Sequence, residues 1–367
     1  MGHTYLTDRE NGMEAVKKRD SNIELLRMIA MLMIIAHHFA VHGGFFFQNR
    51  QITGNMLFLQ WLSIGGKIGV NLFVLISGYF LAAASEIRIQ KAVKLWLQIF
   101  FYSVVIYLIF CLTGLTGFSV RGLVEALFPI LSKQWWFASS YFLLYLLSPV
   151  INRGLRKLSQ KKHLLLLAVL AVFWYGIPVF TWLPERLRDL LWFVFLYCIS
   201  GYLRRYNSAE KQKAGTWLTI GTGLLLLSFG YAVVLLNFLV RYQERYETAY
   251  FQTWQILMLL TAIPLLLGFV RLKVKNNALI NKMAAASFGI YLIHDSNYVR
   301  YFLWRDLLKS VAYRDSAALI PYAIAMVMLV YLVCLALENV RSALLNSTFS
   351  GLSQNVERRF KKSADRI

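Results

Sequence analysis

The sequence predicts an all-α polytopic membrane protein, a bundle of ten transmembrane helices with both termini in the cytosol. Three observations predict it. Of 367 residues, 58% are hydrophobic and only 16% charged, with a mean hydropathy of +0.53; soluble domains run nearer about 45–50% apolar and about 25% charged. Ten apolar stretches follow one another, each near the roughly 20 residues a helix needs to cross a bilayer. Lysine and arginine crowd into alternate connections, twenty-six on one side against ten on the other, with Arg27, Lys67 and Arg300 inside or bordering the spans. The positive-inside rule assigns the richer side, which includes both termini, to the cytosol.

Taken in order, residues 1–21 form a polar cytosolic segment ending in Lys17-Lys18-Arg19, a lead-in unlike that of a cleavable signal peptide. Spans are predicted at 22–42, 61–84, 92–112, 136–151, 163–180, 190–206, 216–240, 251–270, 283–302 and 319–340. The fourth is short and rests on the apolar run from Trp136 to Val150. One transmembrane domain therefore covers 22–340. Residues 341–367 form a basic cytosolic tail whose Arg358, Arg359, Lys361 and Lys362 suit an amphipathic, surface-lying segment at an anionic leaflet.

The net charge of +21 is explained by this topology, because the basic residues sit in the connections between spans; nucleic-acid binding is not expected. Cys111, Cys198 and Cys334 are scattered through separate spans without metal-like spacing and read as small buried hydrophobes, and no metal cofactor is expected. P-loop, nucleotide-binding glycine, HExxH and Gly-x-Ser-x-Gly signatures are absent from the sequence.

The chemistry concentrates in the first span, NIELLRMIAMLMIIAHHFAVH, which is apolar yet carries Glu24, Arg27, His37, His38 and His42. A charged group at bilayer depth costs about 2.5–3.5 kcal/mol on insertion scales, so such residues face a protein interior or a wet cavity. At about 100° per residue, Glu24, Arg27, Met31, Ile34, His38 and His42 share one broad stripe, while His37 turns away. Arg27 and His38 are separated by ~16 Å along the helix axis. With the predicted orientation, Arg27 lies near the cytosolic face and His38 in the outer half. His38 is the best candidate for proton transfer; His37 reads as structural and His42 as interfacial. Arg27 either pairs with Glu24 one turn away or receives an anionic ligand.

Further candidates are spread along the chain. GGKIGVNLFVLISGYFL at 65–81 offers glycines for close helix contact, with Lys67 and Asn71 one turn apart near the outer end. Asn71 is placed to bond across helices to a histidine or an acceptor hydroxyl. Arg88, Lys91 and Lys94 lie about a turn apart on the cytosolic side, either as ordinary topological charge or as a phosphate cradle beside Arg27. Trp136 and Tyr141 open the fourth span. His294, in FGIYLIHDSNYVR, shares the outer half with His38 and is able to meet it from a neighbouring helix; Asp295 diverges from it on a helix, so no dyad within one helix is expected. Arg300 and the outer polar residues Gln48, Asn49, Gln134 and Arg305 are candidates for holding an acceptor.

Arg27 with ten residues to His38, GVNLFVLISGYF at 69–80, WWFASSYFLLYLLSPVIN at 135–152 and FGIYLIHDSNYVR at 288–300 resemble, in this order, segments of the membrane-bound acyltransferase-3 family. These are polytopic O-acyltransferases of bacterial surface polysaccharides and related acceptors. The resemblance spans about residues 19–340. Asn71 stands where many members have Asp, and Arg88-x-x-Lys91 stands where the family has Arg-x-x-Arg.

The resemblance implies a cytosolic acyl-CoA donor, acetyl-CoA above all, and an extracytoplasmic or lipid-linked glycan acceptor in the bacterial cytoplasmic membrane. It implies His38 as the catalytic residue, with Arg27, Glu24 and His294 around it, either as general base or as an acyl carrier. Arg27, Arg88, Lys91 and Lys94 would hold the donor's phosphates; Asn71, Lys67, Trp136, Tyr141 and Arg300 would meet the acceptor. A homodimer is compatible with this reading. The competing reading of the residues alone is a transporter or flippase with a buried His/Arg/Glu relay; a third is a related module acting as a sensor or amino-acid transporter.

Overall fold

The computed structural model describes residues 20–46, 53–84, 88–176, 183–206, 215–241 and 256–364. They are all-α, with no strand among the described residues. Gln48 and Asn49 lie outside them.

Eight of the ten predicted spans coincide with single helices of similar extent. These are α1 (Ser21–His42), α2 (Gly54–Leu81), α3 (Ile89–Leu112), then, after a short amphipathic α4 (Val120–Leu127), α5 (Trp136–Arg156), α6 (Gln160–Tyr175), α7 (Glu185–Tyr206), α8 (Thr216–Arg241) and α9 (Ile256–Arg271). Helix starts follow local chemistry: Thr53 accepts from the Met56 amide, Ser119 from Gly122, and Ser159 from Lys162, each satisfying an orphan N–H of the first turn. Helix α2 begins seven residues before the predicted span because Thr53 supplies that cap.

The remaining two spans differ from expectation. The ninth, predicted at 283–302 as one helix, is broken into α10 (Ala278–Ala285), α11 (Ser287–His294), a single turn α12 (Val299–Tyr301) and a π-helical stretch Phe302–Leu307. Asn277 caps α10 by accepting from the Leu279 and Ile280 amides. The tenth does not end at 340: α13 (Leu319–Ala364) runs 46 residues without interruption. At 1.5 Å per residue that is ~69 Å, more than twice the ~30 Å hydrocarbon core. Residues 341–364 of the predicted tail thus continue the helix of the last span. It packs along α3, where Gln90 Nε2 donates to Glu357 Oε2 and Phe101 meets the Phe349 ring at 6.4 Å.

Among the described residues, four helices (Ser21–His42, Gly54–Leu81, Ile89–Leu112 and Leu319–Lys362) are long and apolar enough to cross a membrane, and Thr216–Phe229 and Ile256–Arg271 are shorter apolar helices. Their outward faces carry large exposed apolar side chains such as Leu112, Leu225 and Leu332. That is the surface of a membrane protein.

Helix α1 lies at the centre, packed most extensively on α2 and also touching α9, α10, α11 and α13. The glycines of α2 make the first of these contacts possible. A Cβ on Gly66 would sit 2.2 Å from the His37 Cβ, and one on Gly69 would sit 2.7 Å from the Ala30 carbonyl oxygen. These glycines serve close approach, and α2 remains a continuous helix through them. The first turn of α1 is tied to α9, α10 and the residue that caps α10: Ser21 Oγ donates to Asn281 Oδ1 at 2.9 Å and accepts from the Asn277 amide, while Asn22 Nδ2 donates to the Phe269 carbonyl. One long helix is thereby held in register against the broken segment that follows.

Candidate functional site

The site forms where the far end of α1 meets the end of α11. His38 Nδ1 lies 2.9 Å from His294 Nε2, and His294 Nδ1 lies 2.6 Å from the Ile290 carbonyl one turn back in its own helix. A carbonyl only accepts, so His294 carries its proton on Nδ1 and presents a bare Nε2. His38 then donates through Nδ1, and its Nε2 is left with a free lone pair. His294 is fully buried and His38 nearly so.

Asp295 completes the cluster. Its Oδ1 lies 3.6 Å from His38 Nε2, 3.8 Å from His42 Nε2 and 3.4 Å from Arg300 Nε, and it has no hydrogen-bond partner. Arg300 Nη2 donates to the Asp295 carbonyl at 2.8 Å, covering the exposed C-terminal end of α11. Arg305 Nε donates to the His42 carbonyl, and the His42 ring stands edge-on to Tyr301. The π-helical stretch thus closes over the end of α1.

Sequence reasoning placed His294 beside His38 but missed Asp295 and took His42 as interfacial. The divergence of about 100° between helix neighbours argues only against a His294–Asp295 dyad; Asp295 instead faces His38 and His42 of α1. The helix stops at His294, however, and Asp295 has φ −104° and ψ 15°, so helical spacing does not govern it. For His42 the signal was present, since it shares the stripe of His38 one turn on.

Below His38 lies a small chamber of about 50 Å³, lined by His37, His38, Lys67, Phe73, Trp136, Phe137, Phe288 and Tyr291 among others. A second cavity of about 280 Å³ is lined by Arg27, Phe73, Ser77, Leu95, Gln98, Phe137, Tyr141, Ala284, Ala285 and Phe288. The two share Phe73, Phe137 and Phe288. Arg27 and His38 therefore open onto adjoining spaces separated by an aromatic constriction, in which Phe137 stands edge-on to Phe73 at 6.3 Å. Arg27 Nη1 also pairs with Glu24 Oε2, the simpler of its two readings.

The other predicted residues divide. Lys67 and Trp136 line the histidine chamber, Tyr141 lines the Arg27 cavity and donates to Ser77 Oγ at 3.2 Å, and Arg300 reaches Asp295. Asn71 is different. It is fully buried, and its Oδ1 accepts from Trp192 Nε1 of α7 at 3.0 Å, a bond across helices to an indole. Of α3, Leu95 and Gln98 line the Arg27 cavity, Leu95 directly following Lys94; Arg88, Lys91 and Lys94 are not among its lining residues. His37 packs on Gly66 with Nδ1 2.6 Å from the Ser63 carbonyl, in keeping with a structural role, though its ring also borders the chamber.

A further basic grouping was not foreseen. Arg156, His163, Arg204 and Arg205 border a cavity of about 270 Å³ between the ends of α2, α5 and α7. Arg205 Nη1 donates there to the carbonyl of Leu155, and Asn152 Nδ2 to those of Leu81 and Ala84.

A family model described as an acyltransferase domain matches residues 20–339, which takes in every residue of this site. No curated protein and no solved structure matches the chain.

Proposed function

The chain belongs to the acyltransferase-3 family, and from that premise we propose that it moves an acetyl group from cytosolic acetyl-CoA to a hydroxyl of an extracytoplasmic or lipid-linked glycan, with His38 as general base. Family membership supports a membrane acyltransferase over the transporter reading. The observation that carries the mechanism is the pairing of His38 Nδ1 with His294 Nε2, which frees His38 Nε2 beside a chamber continuous in its lining with the cavity at Arg27.

In this reading the chain crosses the bacterial cytoplasmic membrane ten times, with both termini in the cytosol and residues 22–340 as the catalytic domain. The Arg27 cavity opens towards the cytosol and the histidine cluster towards the outer face. The donor enters at Arg27, whose guanidinium suits phosphate. Its slim thioester arm passes Phe73, Phe137 and Phe288 to cover the ~16 Å to His38.

The acceptor hydroxyl gives its proton to His38 Nε2 as its oxygen attacks the thioester carbonyl. The resulting oxyanion is met by the Lys67 ammonium in the same chamber. Collapse of the tetrahedral intermediate breaks the carbon–sulfur bond, and the CoA sulfur leaves with the proton from His38, which restores the neutral ring. His294 is a positioning residue, holding His38 in the tautomer that can accept a proton. Arg300 and Trp136 stand where the acceptor would enter, around Asp295 and the chamber wall.

The test is acetyl transfer from labelled acetyl-CoA in membranes carrying either the native chain or His38→Ala. The variant is expected to insert normally and to transfer nothing above background. Undiminished acetylation of the acceptor would overturn the assignment.

A further inference from the structure

Three electron-pair donors converge at the histidine cluster with no proton assigned between them. His38 Nε2 is bare because Nδ1 donates to His294. Asp295 Oδ1 is buried and lacks a hydrogen bond, and His42, one turn from His38, has a buried Nδ1 without a partner, so its proton can reside there and leave Nε2 bare as well. His38, His42 and Asp295 offer ligand atoms that all lie within 4.8 Å of one another, with edges of 3.6 and 3.8 Å to the carboxylate oxygen. Tetrahedral zinc with bonds of about 2.0–2.1 Å requires ligand atoms roughly 3.3–3.5 Å apart. The observed edges approach that span within ordinary side-chain movement.

We propose that His38, His42 and Asp295 form a binding site for a divalent zinc-type ion, and that the ion inhibits the enzyme by occupying the lone pair of His38 Nε2. Two imidazoles four residues apart on one helix and one carboxylate are a borderline-soft donor set, which favours Zn²⁺ over Mg²⁺ or Ca²⁺. The fourth position is left to water. Arg300 reaches Asp295 Oδ1 from its own side at 3.4 Å without hydrogen-bond geometry. A carboxylate oxygen has two lone pairs, so it can keep that contact and still ligate an ion. The ion and the acceptor's proton compete for the same atom.

Binding does not depend on the acyltransferase reading; only the inhibition does. The experiment uses the full chain purified in detergent, titrated with Zn²⁺ and, for spectroscopy, with Co²⁺. One ion per chain and the visible bands of tetrahedral Co²⁺ are expected. His42→Ala is expected to weaken Zn²⁺ binding by at least about tenfold, since disturbing even the groups behind metal ligands costs 10–100-fold. Whatever transfer it retains is expected to be insensitive to zinc, in contrast to that of the native chain. Asp295→Asn keeps the side chain's shape and provides a second binding variant should His42→Ala fail to fold. Failure of the native chain to take up zinc, or equal affinity in His42→Ala and Asp295→Asn, overturns the site. Binding that leaves transfer untouched overturns the inhibition. Binding lost in both variants from a chain with no transfer activity upholds the site and instead counts against the proposed function.

Discussion

His38 and His294, 256 residues apart in sequence, share one hydrogen bond of 2.9 Å, and that bond decides which nitrogen of His38 is available for chemistry. Without His294 the His38 ring can rotate or adopt the other tautomer, and the proton-accepting lone pair is no longer fixed on Nε2. His294→Ala is therefore expected to lower kcat for acetyl transfer while leaving KM for acetyl-CoA unchanged, and His294→Gln, whose side-chain oxygen can accept from Nδ1, to recover part of the rate. Steady-state kinetics with the pH profile of kcat check it; a loss confined to KM would count against a positioning role.

Removal of His38 itself tests the larger effect. General acid–base catalysis contributes about 10²–10⁴-fold, so His38→Ala should cost at least that range in kcat if its imidazole carries the proton. Single-turnover transfer with excess protein measures it independently of product release.

Phe73, Phe137 and Phe288 separate the Arg27 cavity from the histidine chamber. A chamber of about 50 Å³ leaves little room beyond a short acyl group. Phe137→Leu shortens one wall without removing all of its packing and is expected to raise the relative rate with propionyl- and butyryl-CoA over acetyl-CoA. Competition between donors of different chain length gives the ratio; an unchanged ratio would mean that the constriction does not select the acyl group.

Gly66 illustrates how closely α1 and α2 approach. A Cβ there meets the His37 Cβ at 2.2 Å, an atom fixed by the α1 backbone, so neither helix can yield locally. Gly66→Ala is expected to destabilise the fold by about 1–3 kcal/mol, the range for overpacking, and to lower the thermal midpoint in detergent.

Asn71 and Trp192 make the corresponding polar test. Asn71→Leu strips the buried indole N–H of its acceptor, a cost of about 1–3 kcal/mol. Loss of thermal stability with unchanged KM for donor and acceptor is the expected result; a selective rise in acceptor KM would restore the substrate role predicted from sequence.

The helical class, the position of most spans and the functional line of α1 were legible in the sequence because each depends on local periodicity. Twenty apolar residues predict a span wherever they fall, and 3.6 residues per turn put Arg27 and His38 on one stripe without reference to anything else. The same reasoning found the glycines of α2, which need only a neighbour to pack against. It failed where the chain departs from a helix. Residues 283–302 are apolar enough to read as one span, but the structure breaks them at Ala286 and Asp295, and Asp295 swings towards α1 through that second break.

Partners across the fold were equally beyond local spacing. Asn71 bonds to Trp192, 121 residues later, and the α3 residues that line the Arg27 cavity are Leu95 and Gln98. Even the tail obeys this division: its charge pattern suits a membrane surface, whereas its contacts with α3 come from residues more than 240 positions away. The sequence by itself determined a membrane-spanning helical acyltransferase with His38 and Arg27 on one helix face. Tertiary structure alone decided which atoms meet His38. Helical periodicity is set by neighbours in the chain, whereas the tautomer of a buried imidazole is set by whichever distant donors and acceptors surround it.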